Sequence, residues 1–308
     1  MFKSVQLYSM SDKQYFLSVG AMFKNEAHIL REWLEHYIYR GVEHFYLIND
    51  NSTDNFLEII QPFQNKITLI DMNENQFLGR QVRAYNKIFD SKKQETEWLL
   101  IIDLDEFVYS PSTTNFPEMI RNIVSNNSEI HQISFNMVLF GSSGFVEQPK
   151  CVTTSFTKRG EYGVKRYAPQ PPPYGWMLCN TNGQKSFVKT SEIQKYGIHG
   201  HFVSGKTVNF SWMNSNETAF KLYMNHYVLQ SKNWFLKVKG TRGDADAYLK
   251  PEERNLKYFE AWDVNDVKDT CLAEQNKNLP MNHEASKIIV EWSLFLSSMS
   301  NHPKNIDY

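Results

Sequence analysis

From Phe16 to Met22 the chain is almost continuously apolar, a short run suited to a strand buried on both faces. The period then changes. Between Glu26 and Arg40, Ile29, Leu30, Trp33, Leu34, Tyr37 and Ile38 recur at intervals of three and four, which predicts a helix with Asn25 as its N-cap and Gly41 as its stop. His44 to Asn49 reads as a second strand. Thr53 to Ile60 reads as a short helix ended near Pro62, and Ile67 to Asp71 as a third strand. Gln76 to Phe89 returns to helical spacing through Phe77, Val82, Tyr85 and Phe89. Trp98 to Asp103 is a fourth apolar run, ending in Asp103-Leu-Asp105-Glu106-Phe107.

Strands alternating with helices over connections of this length imply a mostly parallel sheet with right-handed crossovers. Ligands of such sheets bind beyond the carboxyl ends of the strands. Asn25-Glu26, Asp50 to Asp54 and Asp103 to Glu106 all fall at such ends, so three polar clusters are expected on one sheet edge. After Phe107 the pattern loosens. Met119 to Val124 suits a helix and Gln132 to Leu139 a strand. Gly141 to Gly183, with Pro171-Pro-Pro-Tyr-Gly-Trp176, reads as a long loop region with irregular strands. From Glu217 onward helical spacing is expected again, notably around Trp234, Phe235 and Val238.

Composition adds mainly exclusions. With 21 Phe, 16 Tyr and 7 Trp in 308 residues the chain can bury a large core, which rules out disorder for most of it. The 33 basic and 34 acidic residues nearly cancel, leaving no global field to draw nucleic acid. Cys151, Cys179 and Cys271 are too far apart for a disulfide framework or a cysteine-rich zinc module, and fit a reducing compartment. Met1 to Lys13 lacks the apolar core of a signal peptide. The densest apolar runs, Trp98 to Asp103 and Ile288 to Leu296, fall short of the roughly 20 residues that cross a bilayer. The expectation is a cytoplasmic protein with no transmembrane segment and no nucleic-acid partner. Glu284 to Met299 reads as a terminal helix packed on the core, or else as an amphipathic helix in peripheral contact with a membrane.

Asp103 and Asp105 are two apart at a strand end, a spacing that puts both carboxylates on one face where they can meet one cation. Hard oxygen ligands with open positions suit Mn²⁺ or Mg²⁺ holding a diphosphate. Three segments resemble the GT-A-type glycosyltransferases of the galactan synthase-like kind, glycosyltransferase family 92 and its family 2-like bacterial and viral relatives. They are Lys24-Asn-Glu26 with Leu30-Arg-Glu-Trp33 and His36; Gly41-Val-Glu-His-Phe-Tyr-Leu-Ile-Asn-Asp50-Asn-Ser-Thr-Asp54; and Trp98-Leu-Leu-Ile-Ile-Asp103-Leu-Asp105-Glu-Phe107. Lys185-Ser-Phe-Val-Lys189 with His199, then His226-Tyr227 with Lys237 and Arg242-Gly243, are similar to that family's later blocks. The resemblance covers roughly residues 16 to 243 and is densest before 110.

It implies an α/β chain of GT-A type: a Rossmann-like, mixed but mostly parallel sheet flanked by helices, with a C-terminal helical extension. Residues 14–110 would form the nucleotide-sugar-binding half, 111–243 the acceptor-binding half, and 244–308 the extension. It also implies transfer of a hexose from a nucleotide-sugar, a UDP-sugar foremost, to a carbohydrate or other hydroxyl acceptor, with inversion and with Mn²⁺ or Mg²⁺. Asn25, Glu26 and Asp50 would meet base and ribose, Asp103 and Asp105 ribose and metal, and His226 would complete the metal site. Arg83 and Asn86 would face the donor, and Lys237 and Arg242 would clamp the diphosphate. Inversion calls for a general base, for which Glu106, Glu161 and Asp244 are the candidates.

Each residue also has a plainer reading. Glu26 suits any helix N-terminus, Asp50 to Asp54 any capped turn, and Lys237, Lys239 and Arg242 any solvated helix end. A haloacid-dehalogenase-like phosphatase would use D-x-D-x-[TV], but Phe107 stands at the Thr/Val place. A non-catalytic nucleotide- or sugar-binding module is the third reading. Gly200-His-Phe-Val-Ser-Gly205-Lys206-Thr207 matches the P-loop pattern in full, yet Val208 to Trp212 is β-like where a P-loop needs a helix, so a P-loop is not expected.

Overall fold

A computed structural model describes residues 12–72, 78–125, 127–161, 165–167, 176–178, 184–210, 221–242, 244–245 and 250–281. The start of the expected helix at Gln76, the Pro171 to Gly175 loop, Gly243 and the Glu284 to Met299 segment lie outside them.

The first third follows the apolar pattern closely. Strand β1 (Tyr15–Phe23), helix α1 (Ala27–Tyr39), β2 (His44–Asn49), α2 (Phe56–Ile60), β3 (Ile67–Asp71), α3 (Arg80–Ile88) and β4 (Thr96–Ile101) alternate in order. β1 pairs in parallel with β2 on one side and β4 on the other, and β2 pairs in parallel with β3. All four strands therefore end on the same edge. Gly41 stops α1 as expected: its φ is +84°, and the Val42 N–H returns to the Tyr37 carbonyl at 3.0 Å. A side chain there would also meet Pro117, whose Cδ lies 2.9 Å from the position of a Cβ.

Two helix starts differ from expectation. Asn25 does not cap α1. The Ala27 N–H donates to Asp54 Oδ2 at 2.8 Å, while Asn25, at φ +50°, accepts the Thr53 N–H on Oδ1 at 2.7 Å and donates its own N–H to Ser52 Oγ at 3.0 Å. Ser52 to Asp54 thus lace the loop after β2 to the loop after β1, and α2 begins only at Phe56. α2 ends at Ile60, next to Pro62 as expected, and the chain goes on as the 3₁₀ stretch Gln61–Lys66, at whose start a missing N–H costs nothing.

The second half continues the same sheet. It contains β5 (Glu106–Tyr109), α4 (Phe116–Ser125), β6 (Ile130–Leu139), the short β7 (Lys158–Arg159), β8 (Lys165–Tyr167) and β9 (Trp176–Leu178), then β10 (Gln184–Lys189), β11 (Ile193–Lys195), β12 (Phe202–Val203), β13 (Lys206–Asn209) and β14 (Tyr223–His226). Among the described residues the main sheet runs β3-β2-β1-β4-β10-β6-β14-β5, with β13 beside β6. β10 is antiparallel to both β4 and β6. β14 is parallel to β6, and β5 is antiparallel to β14. β4, β6 and β14 therefore run the same way, while β10 and β5 run against them.

One expectation is corrected here and another is met. Tyr223–His226, inside the stretch expected to be helical, is an interior strand. The P-loop-like stretch becomes β12 and β13, with Lys206 pairing along β6 in a strand, in keeping with its β-like continuation. Helical structure resumes at α5 (Lys232–Trp234), which passes into a π-helical turn, Phe235–Lys239. α6 (Leu256–Trp262), β15 (Val267–Lys268, paired with β7) and α7 (Cys271–Asn276) follow. Among the described residues no helix is long and apolar enough to cross a membrane.

One face of the sheet packs on α1 and α4 through Leu17, Val19, Trp33, Leu34, Tyr37, Phe107, Phe116, Ile120 and Phe187, all fully buried. The other packs on α3 through Tyr46, Ile48, Tyr85, Phe89 and Tyr196. His36 and Arg40 on α1 reach α7 through Asn276 and Gln275.

Candidate active site

Strand direction alone gathers the chemistry. The carboxyl ends of β1, β2 and β4 deliver Asn25-Glu26, Asp50 and Asp103 to Asp105 to one edge. The carboxyl end of β14 delivers His226 there too. β10 and β5 run the other way, so Lys185 and Glu106, at their starts, arrive at the same edge. His226 is paired directly with Glu106 in the ladder.

β4 ends at Ile101, so the carboxylates lie in a turn rather than in strand as the two-residue spacing assumed. The turn is held from below. Trp33 Nε1 donates to the Asp103 carbonyl at 3.2 Å, Tyr37 OH to the Glu106 carbonyl at 3.1 Å, and the Tyr227 N–H to the Asp105 carbonyl at 2.8 Å. Glu106 Oε2 accepts the Asp103 N–H at 3.0 Å. With its backbone pinned from α1, β14 and its own side chain, the turn keeps its carboxylates in place without a ligand.

Asp103 and Asp105 have different partners. Asp103 Oδ2 lies 3.1 Å from Lys185 Nζ, which is also 3.2 Å from Glu106 Oε2. Asp105 Oδ2 accepts from the Lys239 ammonium, and Asp105 Oδ1 lies 3.5 Å from His226 Nε2. Beside them Arg242 donates to Glu26 Oε1 at 2.8 Å. Four carboxylates thus meet three full cations and one imidazole, nearly all out of water: Asp105 is 5% exposed, Lys185 and Glu106 2%, Lys239 and Glu26 7%.

Burial pushes the Asp105 carboxyl up, but Lys239 and His226 outweigh it and hold it well below the usual carboxylate range. Burial pulls His226 down, yet the Asp105 carboxylate raises it above an ordinary imidazole. Glu106 is raised by burial despite Lys185, and Glu26 by burial despite Arg242. Burial would lower Lys185, but Asp103 and Glu106 drive it upward.

The other expected residues sort by position. Asp50 is at the edge, but Arg80 takes both of its oxygens, Nη1 to Oδ1 at 2.9 Å with Nη2 on Oδ2. The buried arginine of α3 is thus Arg80; Arg83, one turn on, is exposed. Asn86 spends its amide on the backbone, donating to the Val82 and Tyr196 carbonyls and accepting the Tyr196 N–H. Lys237 is exposed, and Lys239 is the buried lysine of that helix. Glu106 is buried, its Oε2 shared by the Asp103 N–H and the Lys185 ammonium. Glu161 is exposed beside the β7–β15 pair, its N–H on Asp266. Asp244 follows Arg242, and its charge acts on Arg254. Phe107, at the place where a D-x-D-x-[TV] phosphatase carries Thr or Val, is fully buried core.

Sequence reasoning missed the roles of Lys185, Lys239 and Arg80. Lys185 carries a weak signal, since in Gln184-Lys-Ser-Phe-Val-Lys189 just Phe187 and Val188 are apolar. Lys239 has none, because a helical pattern does not say where a π turn falls.

The residues suit a divalent cation in part. Asp105 Oδ1 and His226 Nε2 offer an oxygen and a nitrogen 3.5 Å apart, a separation that fits neighbouring donors of one ion. Among the described residues no three His, Cys, Asp or Glu side chains gather around one point.

Among known proteins, a glycosyltransferase family 92 protein from Oryza sativa subsp. japonica is 26% identical over 148 residues, 48% of this chain and 25% of its own length. One from Arabidopsis thaliana is 26% identical over 157 residues, 48% and 27% of the two lengths. The chain spans about a quarter of the length of these curated relatives. S. aureus TarS in complex with UDP superposes with a TM-score of 0.35 at 15% identity, covering 57% of this chain and 47% of that one. The mannosyltransferase PcManGT from Pyrobaculum calidifontis, in complex with GDP-Man and Mn²⁺, gives 0.29 at 16%, covering 41% and 39%. These superpositions are too partial to carry any argument. The model of glycosyltransferase family 92 matches residues 13–246, most of the chain and all the strands that build this edge, and the chain belongs to that family.

Proposed function

We propose that the chain transfers a hexose from a nucleotide-sugar, a UDP-sugar foremost, to a hydroxyl of a carbohydrate acceptor, with a divalent cation at Asp105 and His226. One observation supports this above the others: in a glycosyltransferase family 92 chain, the Asp103–Asp105 turn, His226, Lys239 and Arg242 belong to one buried network at the carboxyl edge of the sheet.

A departing nucleoside diphosphate develops negative charge, and preorganised cations at that place lower the barrier. Lys239 and Arg242 lie at the cluster, and the pinned turn holds Asp105 and His226 for the ion. A bound Mn²⁺ or Mg²⁺ supplies Lewis-acid stabilisation of the leaving oxygens. Asp50 would stand beside the base, with Arg80 holding its carboxylate in place. Asn25 and Glu26 lie between, on the loop laced to Ser52 and Thr53. Asp103, with a side chain 32% exposed, remains open to the ribose. A donor panel tested with Mn²⁺ should release a nucleoside diphosphate from at least one nucleotide-sugar. Turnover of simple aryl phosphates with no response to any nucleotide-sugar would contradict the assignment.

A further inference from the structure

Asp105 divides its two oxygens between two partners. Its Oδ2 accepts from Lys239, and its Oδ1 faces His226. Lys239 is the last residue of the π turn and is 7% exposed. Its Nζ lies 5.7 Å from the Trp234 ring centroid, and its hydrogen bond goes to Asp105. The helix end is fixed at the next residue: a Cβ on Gly240 would sit 2.5 Å from the Arg254 carbonyl oxygen, so backbone passes where a side chain would be. The ammonium is therefore delivered to Asp105 by a packed element, on a four-carbon stem that retains freedom to swing.

A divalent ion bound to Asp105 would stand within about 4 Å of that ammonium, at like charge and largely out of water, an arrangement that is strongly repulsive. Among the described residues the ion has two donors placed for it, Asp105 and His226. A nucleoside diphosphate relieves both difficulties. Its oxygens complete the ion's coordination, and its charge gives the displaced ammonium a new partner.

We propose that Lys239 is a resident counter-ion of Asp105 that gives up the carboxylate to a divalent cation only when a nucleoside diphosphate is present to receive its ammonium. Lys239 thereby couples the two ligands: each binds weakly alone, and each strengthens the other by the same factor. The inference rests on the functional reading above and adds to it a residue and an order of events. It also gives a reason for a buried lysine whose charge an ion would otherwise duplicate.

The test measures Mn²⁺ binding by electron paramagnetic resonance of the free ion, with and without UDP, in wild type, Lys239→Met and Lys239→Gln. In wild type, UDP should tighten Mn²⁺ binding by roughly 5- to 150-fold, the usual range of such coupling. In both variants Mn²⁺ alone should bind at least about tenfold more tightly than in wild type, and the enhancement by UDP should shrink correspondingly. Lys239→Gln keeps a hydrogen-bond donor for Asp105 and guards against loss of the fold in Lys239→Met; a cooperative thermal transition is required of whichever variant is scored. Unchanged binding of Mn²⁺ alone in a folded variant, with wild-type coupling intact, overturns the counter-ion role while leaving the functional reading standing. A wild-type protein that binds neither UDP nor Mn²⁺–UDP instead contradicts the functional reading itself.

Discussion

Arg80 and Asp50 show how much a single residue's partner decides. Both side chains are almost wholly buried and joined by two hydrogen bonds. Removing one partner of such a pair leaves an uncompensated charge in the interior, whereas the intact pair roughly offsets its own desolvation. Arg80→Met should therefore destabilise the fold by about 3–5 kcal/mol in urea unfolding; a loss below about 1 kcal/mol would mean that water reaches Asp50. The sequence placed Asp50 at the carboxyl edge of the sheet correctly, because strand ends are legible from apolar runs. It could not name the partner, because Arg80 and Arg83 both lie on a helix expected from spacing alone, and only packing separates the buried face from the exposed one. Lys237 and Lys239 repeat the lesson. Two lysines two apart face different ways, and the π turn rather than composition decides which meets Asp105.

Among the elements, those whose signal is local were readable and those that depend on distant partners were not. β2 and β3 coincide with their apolar runs, and α1 ends at Gly41, where a left-handed φ is needed. The start of α1 was misread because its first N–H is capped by Asp54, 27 residues away, and no local pattern reports that. β14 was misread because four residues, Tyr223 to His226, are too few to show a period of two; they are strand because β6 and β5 flank them. β10 and β5 matter most to the site and gave the weakest signals. Each is a short strand whose opposed direction brings Lys185 and Glu106 to the same edge as the ends of β4 and β14. The carboxylate turn, His226 and Arg242 were named from sequence, but Lys185 and Lys239 beside them were not.

Across the whole molecule, burial sets a pH dependence that can be isolated at His36. Its Nε2–H donates to the Val108 carbonyl at 2.8 Å, and its Nδ1 accepts from Asn276 Nδ2 at 3.0 Å, which fixes a neutral ring between α1, β5 and α7. Burial, then the nearby Arg40, drives its pKa well below that of a free imidazole. The unfolded chain therefore binds the extra proton first. The contribution of His36 to stability is fully present above about pH 6.5 and is lost as the pH falls below it. Relative to wild type, the destabilisation caused by His36→Gln should shrink between pH 7 and pH 5, by up to about 1.4 kcal/mol per pH unit. Opposite pulls from His226, Glu26 and Glu106 are common to both proteins and cancel in that difference. A penalty independent of pH would show that His36 is charged in the fold.

The central claim is that Asp105, held out of water between Lys239 and His226, is where the departing diphosphate is stabilised. The most direct measurement is nucleoside diphosphate release from the best nucleotide-sugar donor, with Mn²⁺, by wild type and by folded Asp105→Asn at saturating donor. The expected result is turnover in wild type and a loss of about 100-fold or more in the variant, the magnitude seen when a group that stabilises transition-state charge is removed. Equal turnover by the two proteins would contradict the account.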